Sequence, residues 1–375
     1  MDALLYNDLA RHRLQRGWSQ AQLAQQVGVS RQTILAIESG KSAPGTALVL
    51  QLAAALGCTV ESLFWIDDRL DGVRLATATA DREGGKRTAD TRLVLAEVDG
   101  RWVAHPLDDA LQHGMRWAAD GVLETDQGFA VTAWRPPETL RDNLLVSGCD
   151  PGLGLLAAHC NEQRRRGKTI HIEAASGQSL RYLAERSVHV AGLHSGGHVH
   201  HELTRSALRA ALPQTAVAVF ELARWELGLV VARGNPKALR GVADLAQPEV
   251  RLINRAPAAA ARQLLDQLLT EAHVPVSAVC GYENHARGHL AVAQAVAWGL
   301  ADAGIATAHA AAAWDLAFVP LAEDCFELAV PARDCEDRRV AALLDTARST
   351  AFRREAGRIA GYDASHSGEG RGVIG

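Results

Sequence analysis

The densest group of side chains able to hold a metal is the run HSGGHVHHE, His194 to Glu202. His198, His200 and His201 are its weak candidates for ligation. In a glycine-containing loop they lack the i, i+4 spacing that sets two imidazoles on one helix face, so solvated histidines are expected and no specific metal site. The six cysteines, Cys58, Cys149, Cys160, Cys280, Cys325 and Cys335, form no CxxC pair and no close quartet. Neither a structural zinc site nor a disulfide framework is signalled. No Ser-His-Asp order, phosphate loop or paired-carboxylate motif stands out, so a binding protein is expected rather than an enzyme, with no certain cofactor.

The elements that must carry any site belong to a chain of 375 residues, long enough for two or three domains. Its formal net charge of -4 excludes a chain that is basic throughout, so any nucleic-acid contact must come from a local cluster. The opening MDALLYNDLARHRLQRG has no uninterrupted apolar core, and no apolar run is long enough to span a bilayer. A cytoplasmic protein with no membrane partner is the expectation.

The clearest local signal is SQAQLAQQVGVSRQTILAIESG, Ser19 to Gly40. Ser19 with Gln22 makes a capping box, and Trp18 can staple onto Leu23. Leu23, Ala24 and Val27 form one apolar face, Gly28 allows a sharp turn, Val29 plugs the joint, and Ser30 caps a second helix. Ile34 and Ile37 bury that helix, which leaves Arg31, Gln32, Thr33 and Ala36 outward. Glu38 supports the turn.

This segment resembles the helix-turn-helix of the Cro and phage-repressor type, over about Leu4 to Trp65 and including GTALVLQLAAALG and TVESLFW. The resemblance implies a second motif helix lying in the major groove of double-stranded DNA. Carried over by position, Arg31 and Gln32 are the base readers, suited to guanine and adenine edges respectively. Ser30 and Thr33 flank them. Gln20 and Lys41 resemble phosphate contacts, and Arg11, Arg13 and Arg16 add positive charge. One such module reads few base pairs, so a homodimer on a two-fold site is expected.

Beyond Ile66 the period changes. Arg92 to Val98, then Asp99-Gly100, then Arg101 to His105 reads as a hairpin around a type I′ turn. Asp81 to Asp90 reads as a loop. From Leu144 onward, short β-branched runs alternate with helical stretches, which indicates βαβ units on a mostly parallel sheet. Arg338 to Ile359 reads as one long helix, and SHSGEGRGVIG as a loose tail.

This last region resembles type II periplasmic-binding-protein folds, in particular the molybdate-binding-protein-like domains found behind helix-turn-helix modules. SGCDPGLGLLAAH, HVAGLH, LGLVVARGNPKALRGVADL, LINR, GYENHARGHLAVAQAVAWGLADAGI and FVPLAEDCFELAVP carry the resemblance. It implies two lobes with a ligand cleft at the carboxyl ends of strands, where helix N-termini supply N–H donors. The cleft candidates are Ser147, Cys149, Asp150, Ser176 and His194 from one lobe, and Asn254, Arg255, Arg262 and Tyr282 from the other. His289 lies in the same later segment. Where relatives carry a glycine- and hydroxyl-rich turn after the NR pair, this chain reads Ala256-Pro257-Ala258-Ala259-Ala260-Ala261-Arg262. That departure disfavours molybdate or tungstate and favours an anion with an apolar body.

The expected architecture is multidomain. An all-α helix-turn-helix domain covers 1–66, a small β-rich region 67–143, and an α/β two-lobed ligand-sensing domain 144–366. The expected function is a ligand-responsive DNA-binding transcriptional regulator whose effector is an oxyanion or small organic anion. The alternative is a constitutive DNA-binding regulator whose C-terminal domain only dimerises.

Overall fold

The computed structural model describes residues 5–66, 68–70, 72–76, 91–107, 118–124, 131–195, 197–257 and 259–375. For residues 68, 69 and 197–203 the backbone alone is described. The expected loop at Asp81 to Asp90 lies outside the described residues. The chain divides into two compact units, Met1–Asp142 and Asn143–Gly375.

The first unit begins β1 (Leu5–Asn7), α1 (Leu9–Gln15), α2 (Gln20–Gln26), α3 (Arg31–Glu38), α4 (Thr46–Leu56), α5 (Val60–Leu63) and β2 (Phe64–Ile66). Ser19 Oγ accepts from the Gln22 amide at 3.2 Å while Gln22 Oε1 accepts from the Ser19 amide at 2.7 Å, so the reciprocal cap starts α2. Gly28 takes φ +70°, a left-handed conformation that glycine adopts without a Cβ clash, and Ser30 then caps α3. Leu9, Leu23, Ile34, Ile37, Leu52 and Leu63 fill the core between these helices, and Trp18 and Val29 pack onto it.

A buried ion pair ties this domain together. Arg13 Nε donates to Glu38 Oε1 at 2.6 Å, and its Nη1 donates to the Trp18 carbonyl at 2.7 Å. The two side chains are only 9% and 7% exposed. Arg16 Nη2 donates to the Leu56 carbonyl at the end of α4. Arg13 is therefore structural rather than part of a basic face, while Arg11 and Arg16 both stay exposed.

A second sheet follows, made of β3 (Asp68–Leu70), β4 (Arg74–Leu75), β5 (Arg92–Val98), β6 (Arg101–Pro106), β7 (Gly121–Leu123) and β8 (Val131–Ala133), closed by the short α6 (Pro137–Leu140). The β5–β6 hairpin pairs Val98 with Arg101, and Asp99 and Gly100 both take positive φ (52° and 71°) as a type I′ turn requires.

The second unit contains β9 (Leu144–Gly148), α7 (Pro151–Gln163), β10 (Thr169–Glu173), α8 (Ser176–Ala184), β11 (Val190–His194), α9 (Gly197–Ala211), β12 (Val217–Val231) and β13 (Leu252–Ile253). It continues with α10 (Ala260–Glu271), α11 (Gly288–Ala297), β14 (Ala303–Thr307), α12 (Ala308–Ala313), β15 (Ala317–Pro331), α13 (Arg338–Arg348), α14 (Thr350–Ala356), β16 (Tyr362–Asp363) and β17 (Gly370–Ile374). The strand order is β10-β9-β11-β15-β12-β14-β13, with β16 and β17 also paired to β12.

The sheet is mixed rather than mostly parallel, because two 15-residue strands, β12 and β15, run antiparallel through its centre. One end of this pair lies in a core with Leu144, Leu156, Leu343 and Phe352; the other lies with Leu239, Leu252, Leu265 and Ile305. Two lobes result. Between them the register slips, with Leu227 facing Ala322 and Gly228 facing Pro320, so Leu321 is extra. A Cβ on Gly228 would fall 2.2 Å from the Val319 carbonyl oxygen.

Two further expectations are corrected. Ser349 breaks the C-terminal helix and caps α14 through the Phe352 amide. The tail is not loose: β17 pairs with Val217–Phe220, and Arg371 and Arg224 both neutralise Glu221, which is 1% exposed. A buried carboxylate requires such partners.

Removing one member of the Arg13–Glu38 pair leaves the other charge buried. Glu38→Ala should destabilise the first unit by about 3–5 kcal/mol. Urea denaturation of the full chain, followed by Trp18 fluorescence with the other tryptophans replaced, would read this loss; a change below about 1 kcal/mol would show the pair to be effectively solvated.

Candidate functional site

In the helix-turn-helix domain, Arg31 and Gln32 stand exposed on the first turn of α3, with Thr33 half-buried behind them. Ser30 and Thr33 are occupied with each other: Ser30 Oγ accepts from the Thr33 amide at 3.0 Å and lies 2.9 Å from its hydroxyl. Gln20 Nε2 donates to Glu38 Oε2 at 2.9 Å, and its Oε1 sits 3.5 Å from Arg31 Nε. The buried Glu38 thus orients Gln20, which in turn abuts Arg31. Lys41 is exposed just past α3, and its amide bonds back to the Ala36 carbonyl. Sequence reasoning missed Leu35, an apolar residue 49% exposed one turn beyond Arg31.

In the second unit the cleft candidates separate into two groups. Cys149, Asp150 and His194 come together at the ends of β9 and β11. Cys149 Sγ lies 3.1 Å from His194 Nε2, and His194 Nδ1 lies 2.5 Å from Asp324 Oδ2. Ser176, on the first turn of α8, accepts the His194 amide at 3.0 Å, and Thr204 Oγ1 donates to the His194 carbonyl. Both ring and backbone of His194 are therefore fixed. Trp225 and Phe326 pack on the ring with centroids 5.4 Å and 5.1 Å away. Ser147 is buried on the face of β9 opposite Leu144 and Val146, and its hydroxyl has no protein partner.

The second group is bound up in a local cluster. Asn254 donates to the Tyr282 carbonyl, Arg262 stacks over the Tyr282 ring at 3.9 Å, and both Arg262 and Tyr282 bond to Asp266. These three hold the loop after β13. The signal was legible: Asp266 follows Arg262 by four residues, one helical turn. Arg255 differs. Its Nη1 is buried with no protein partner, and burial pulls its guanidinium below the ordinary value, Cys149 and Glu173 offsetting this in part.

His289, on the first turn of α11, lies 6.3 Å from the Trp225 ring. Burial first, then Arg255, His194 and His309, push its pKa well below the usual histidine range, so the ring is neutral. Burial opposes charge on His194 too. There Cys149 and Asp324 outweigh it and hold the pKa well above the usual value. Asp150 caps α7, accepting from the Gly152 amide and from Tyr362 Oη at 2.8 Å. Burial raises its pKa to about 7, against the lowering effect of those two donors and of His194. Trp225 Nε1, His289 Nδ1, Asp150 Oδ2 and Asp324 Oδ1 are all buried without a protein partner. Asp324 and Trp225, both on the long central strands, escaped sequence reasoning.

His198, His200 and His201 fall on α9, not in a glycine-rich loop, and their side chains lie outside the described residues. Among the described residues no group of three or more His, Cys, Asp or Glu is placed to hold a metal ion. No described helix is long and apolar enough to cross a membrane.

The fold and the site define a helix-turn-helix domain followed by a two-lobed α/β binding domain. Residues 157–348 match the PBP superfamily domain and residues 9–63 the helix-turn-helix family. The chain belongs to the PBP superfamily domain family, and neither matched family is catalytic. It is similar to the uncharacterized protein YvgK of Bacillus subtilis, 26% identical over 229 residues, covering 61% of this chain and 73% of that protein. The N-terminal part is similar to an uncharacterized HTH-type transcriptional regulator of Methanothermobacter thermautotrophicus, 42% identical over 64 residues, 17% of this chain and 90% of that one. Among solved structures it is similar to a putative phosphate ABC transporter substrate-binding protein with bound phosphate from Clostridium perfringens. That similarity has TM-score 0.46 and 9% identity, over 58% of this chain and 98% of the other.

The raised pKa of Asp150 has a consequence for stability. Unfolded, the carboxyl loses its proton near its ordinary 3.8; folded, it does so at about 7. The folded state holds the extra proton in between, so the Asp150 contribution falls as pH rises through that window, and the penalty is complete above it. Asp150→Asn should therefore match the parent near pH 4 and exceed it at pH 8, by several degrees in thermal melts of the full chain. A variant that is less stable than the parent at pH 8 would contradict the buried charge.

Proposed function

We propose that this protein is a cytoplasmic, ligand-responsive DNA-binding transcriptional regulator. The N-terminal domain reads DNA through Arg31 and Gln32, with Gln20, Ser30, Thr33 and Lys41 around them. A small anionic effector binds between the lobes, beside Cys149, Asp150, His194 and Arg255. The observation that carries the sensing role is the unpartnered, partly desolvated Arg255 guanidinium facing the His194 cluster. An uncompensated buried cation is costly, and an anion that pairs with it recovers that cost.

The same cluster narrows the effector. Asp324 Oδ1 calls for a hydrogen-bond donor, which fully deprotonated molybdate, tungstate or sulfate cannot supply. An organic acid bearing hydroxyl or ammonium groups satisfies both sides, its carboxylate on Arg255 and Trp225 Nε1 and its donor on Asp324. The segment after Arg255, Ala256-Pro257 and Ala259 to Ala261, offers no hydroxyl to such a ligand. Ligand binding that favours the closed lobes would change the spacing of two DNA-binding heads. A helix-turn-helix pair needs half-sites about one DNA turn apart, so the active form is a homodimer.

Calorimetric titration tests the effector class directly. Hydroxy and amino acids should include binders that Arg255→Gln abolishes, while molybdate, tungstate and sulfate bind no better than chloride. Submicromolar molybdate binding, lost when Ser147 and Ser176 become alanine, would overturn this reading. For DNA, Arg31→Ala should cost ~1–3 kcal/mol and relax preference at one base pair; unchanged affinity and unchanged preference at every position would remove Arg31 as a reader. Sedimentation at micromolar concentration should give a dimer, and a monomer both free and on DNA would exclude one.

A further inference from the structure

Cys149, His194 and Asp324 form a relay that the binding of an effector does not require. Asp324 Oδ2 accepts from His194 Nδ1 at 2.5 Å, which orients the ring and sets Nε2 3.1 Å from Cys149 Sγ, where the charged imidazolium holds the proton given up by the thiol. This is the arrangement of an activated nucleophile: thiol, base, and a carboxylate orienting the base. The Ser176 and Thr204 hydrogen bonds and the flanking Trp225 and Phe326 rings hold the imidazole in that pose. Cys149 is half-buried, within reach of a small reagent, and sits two residues before the 13-residue helix α7, whose N-terminus favours negative charge. Arg255 adds a nearby cation. Trp225 and Asp324, 3% and 4% exposed, each keep a polar atom without a protein partner in the same cluster.

We propose that Cys149 is an oxidation site for a small hydroperoxide, primed by His194 and Asp324. His194 Nε2 removes the thiol proton. The sulfur then attacks the terminal peroxide oxygen; an S–O bond forms as the O–O bond breaks, and its electron pair leaves with the departing oxygen. That oxygen takes the proton held on His194. The products are Cys149 sulfenic acid and an alcohol, or water when the reagent is hydrogen peroxide; sulfur is oxidised by two electrons and the peroxide reduced by two. Cys325, next to Asp324 in an extended strand, points to the other face of the sheet, where burial and Glu327 push its thiol up to about 12. It is no resolving partner, so the sulfenic acid persists long enough to be trapped. The reaction is stoichiometric, and it stands whether or not an effector binds the cleft.

The test treats the reduced full chain with hydrogen peroxide and dimedone and maps adducts by peptide mass. Exposed Cys280 serves as the internal standard. At pH 7 Cys149 should be labelled at least tenfold faster than Cys280. That advantage should widen as pH falls from 8.5 to 6, because an unassisted thiol loses reactivity with its thiolate. His194→Gln and Asp324→Asn should each slow Cys149 at least tenfold while Cys280 is unchanged. Labelling of Cys149 no faster than of Cys280, or a ratio that is flat with pH, overturns the proposal on the parent protein alone, whether or not the variants fold.

Discussion

Both lobes of the second unit are built on the antiparallel ladder between β12 and β15. Neither strand ends where one lobe ends, so the lobes share continuous backbone and can move only by bending that ladder. The register slip at Leu227 and Gly228 lies where it passes from one core to the other, and a bulge is where a sheet bends most readily. Trp225 and Asp324, paired in register just before that slip, are carried to His194 by the same strands. The geometry of the His194 cluster and that of the lobes are thus one variable.

The chemistry of the cleft follows from burial. Three cationic or cation-forming groups, Arg255, His194 and His289, stand near two carboxylates, and low polarity drives their protonation apart. His289 is held neutral and His194 charged, and Asp150 keeps its proton to about 7. Groups of the same type are given different states by their neighbours alone. In the N-terminal unit burial has the opposite use. The Arg13–Glu38 pair is closed on itself, has no polar atom to spare for a ligand beyond Gln20, and serves to set α1 against α3.

Much of this was legible in the sequence. Ser19, Gln22, Gly28 and Ser30 act through local hydrogen bonds and backbone angles, and such signals survive without tertiary context. The Asp99-Gly100 turn is of the same kind. What failed was non-local. VAVFELARWELGLVV and AFVPLAEDCFELAVP do not announce that they pair with each other over 15 residues, so the sheet was expected to be mostly parallel. The tail was read as loose because its partner strand, Val217–Phe220, lies about 150 residues earlier. For the same reason Asp324 was overlooked while Cys149 and His194 were singled out. The Arg262–Asp266 pair was legible from its spacing, but sequence could not say that Tyr282 would join it or that Arg255 would be left over.

The central claim is that occupation of the cleft is felt at the DNA. Equilibrium anisotropy of a selected operator, with the full chain and the tightest-binding organic acid, measures that coupling. The account predicts a shift in operator affinity of at least about fivefold, absent in Arg255→Gln. An acid that saturates the cleft and leaves operator affinity unchanged would contradict it.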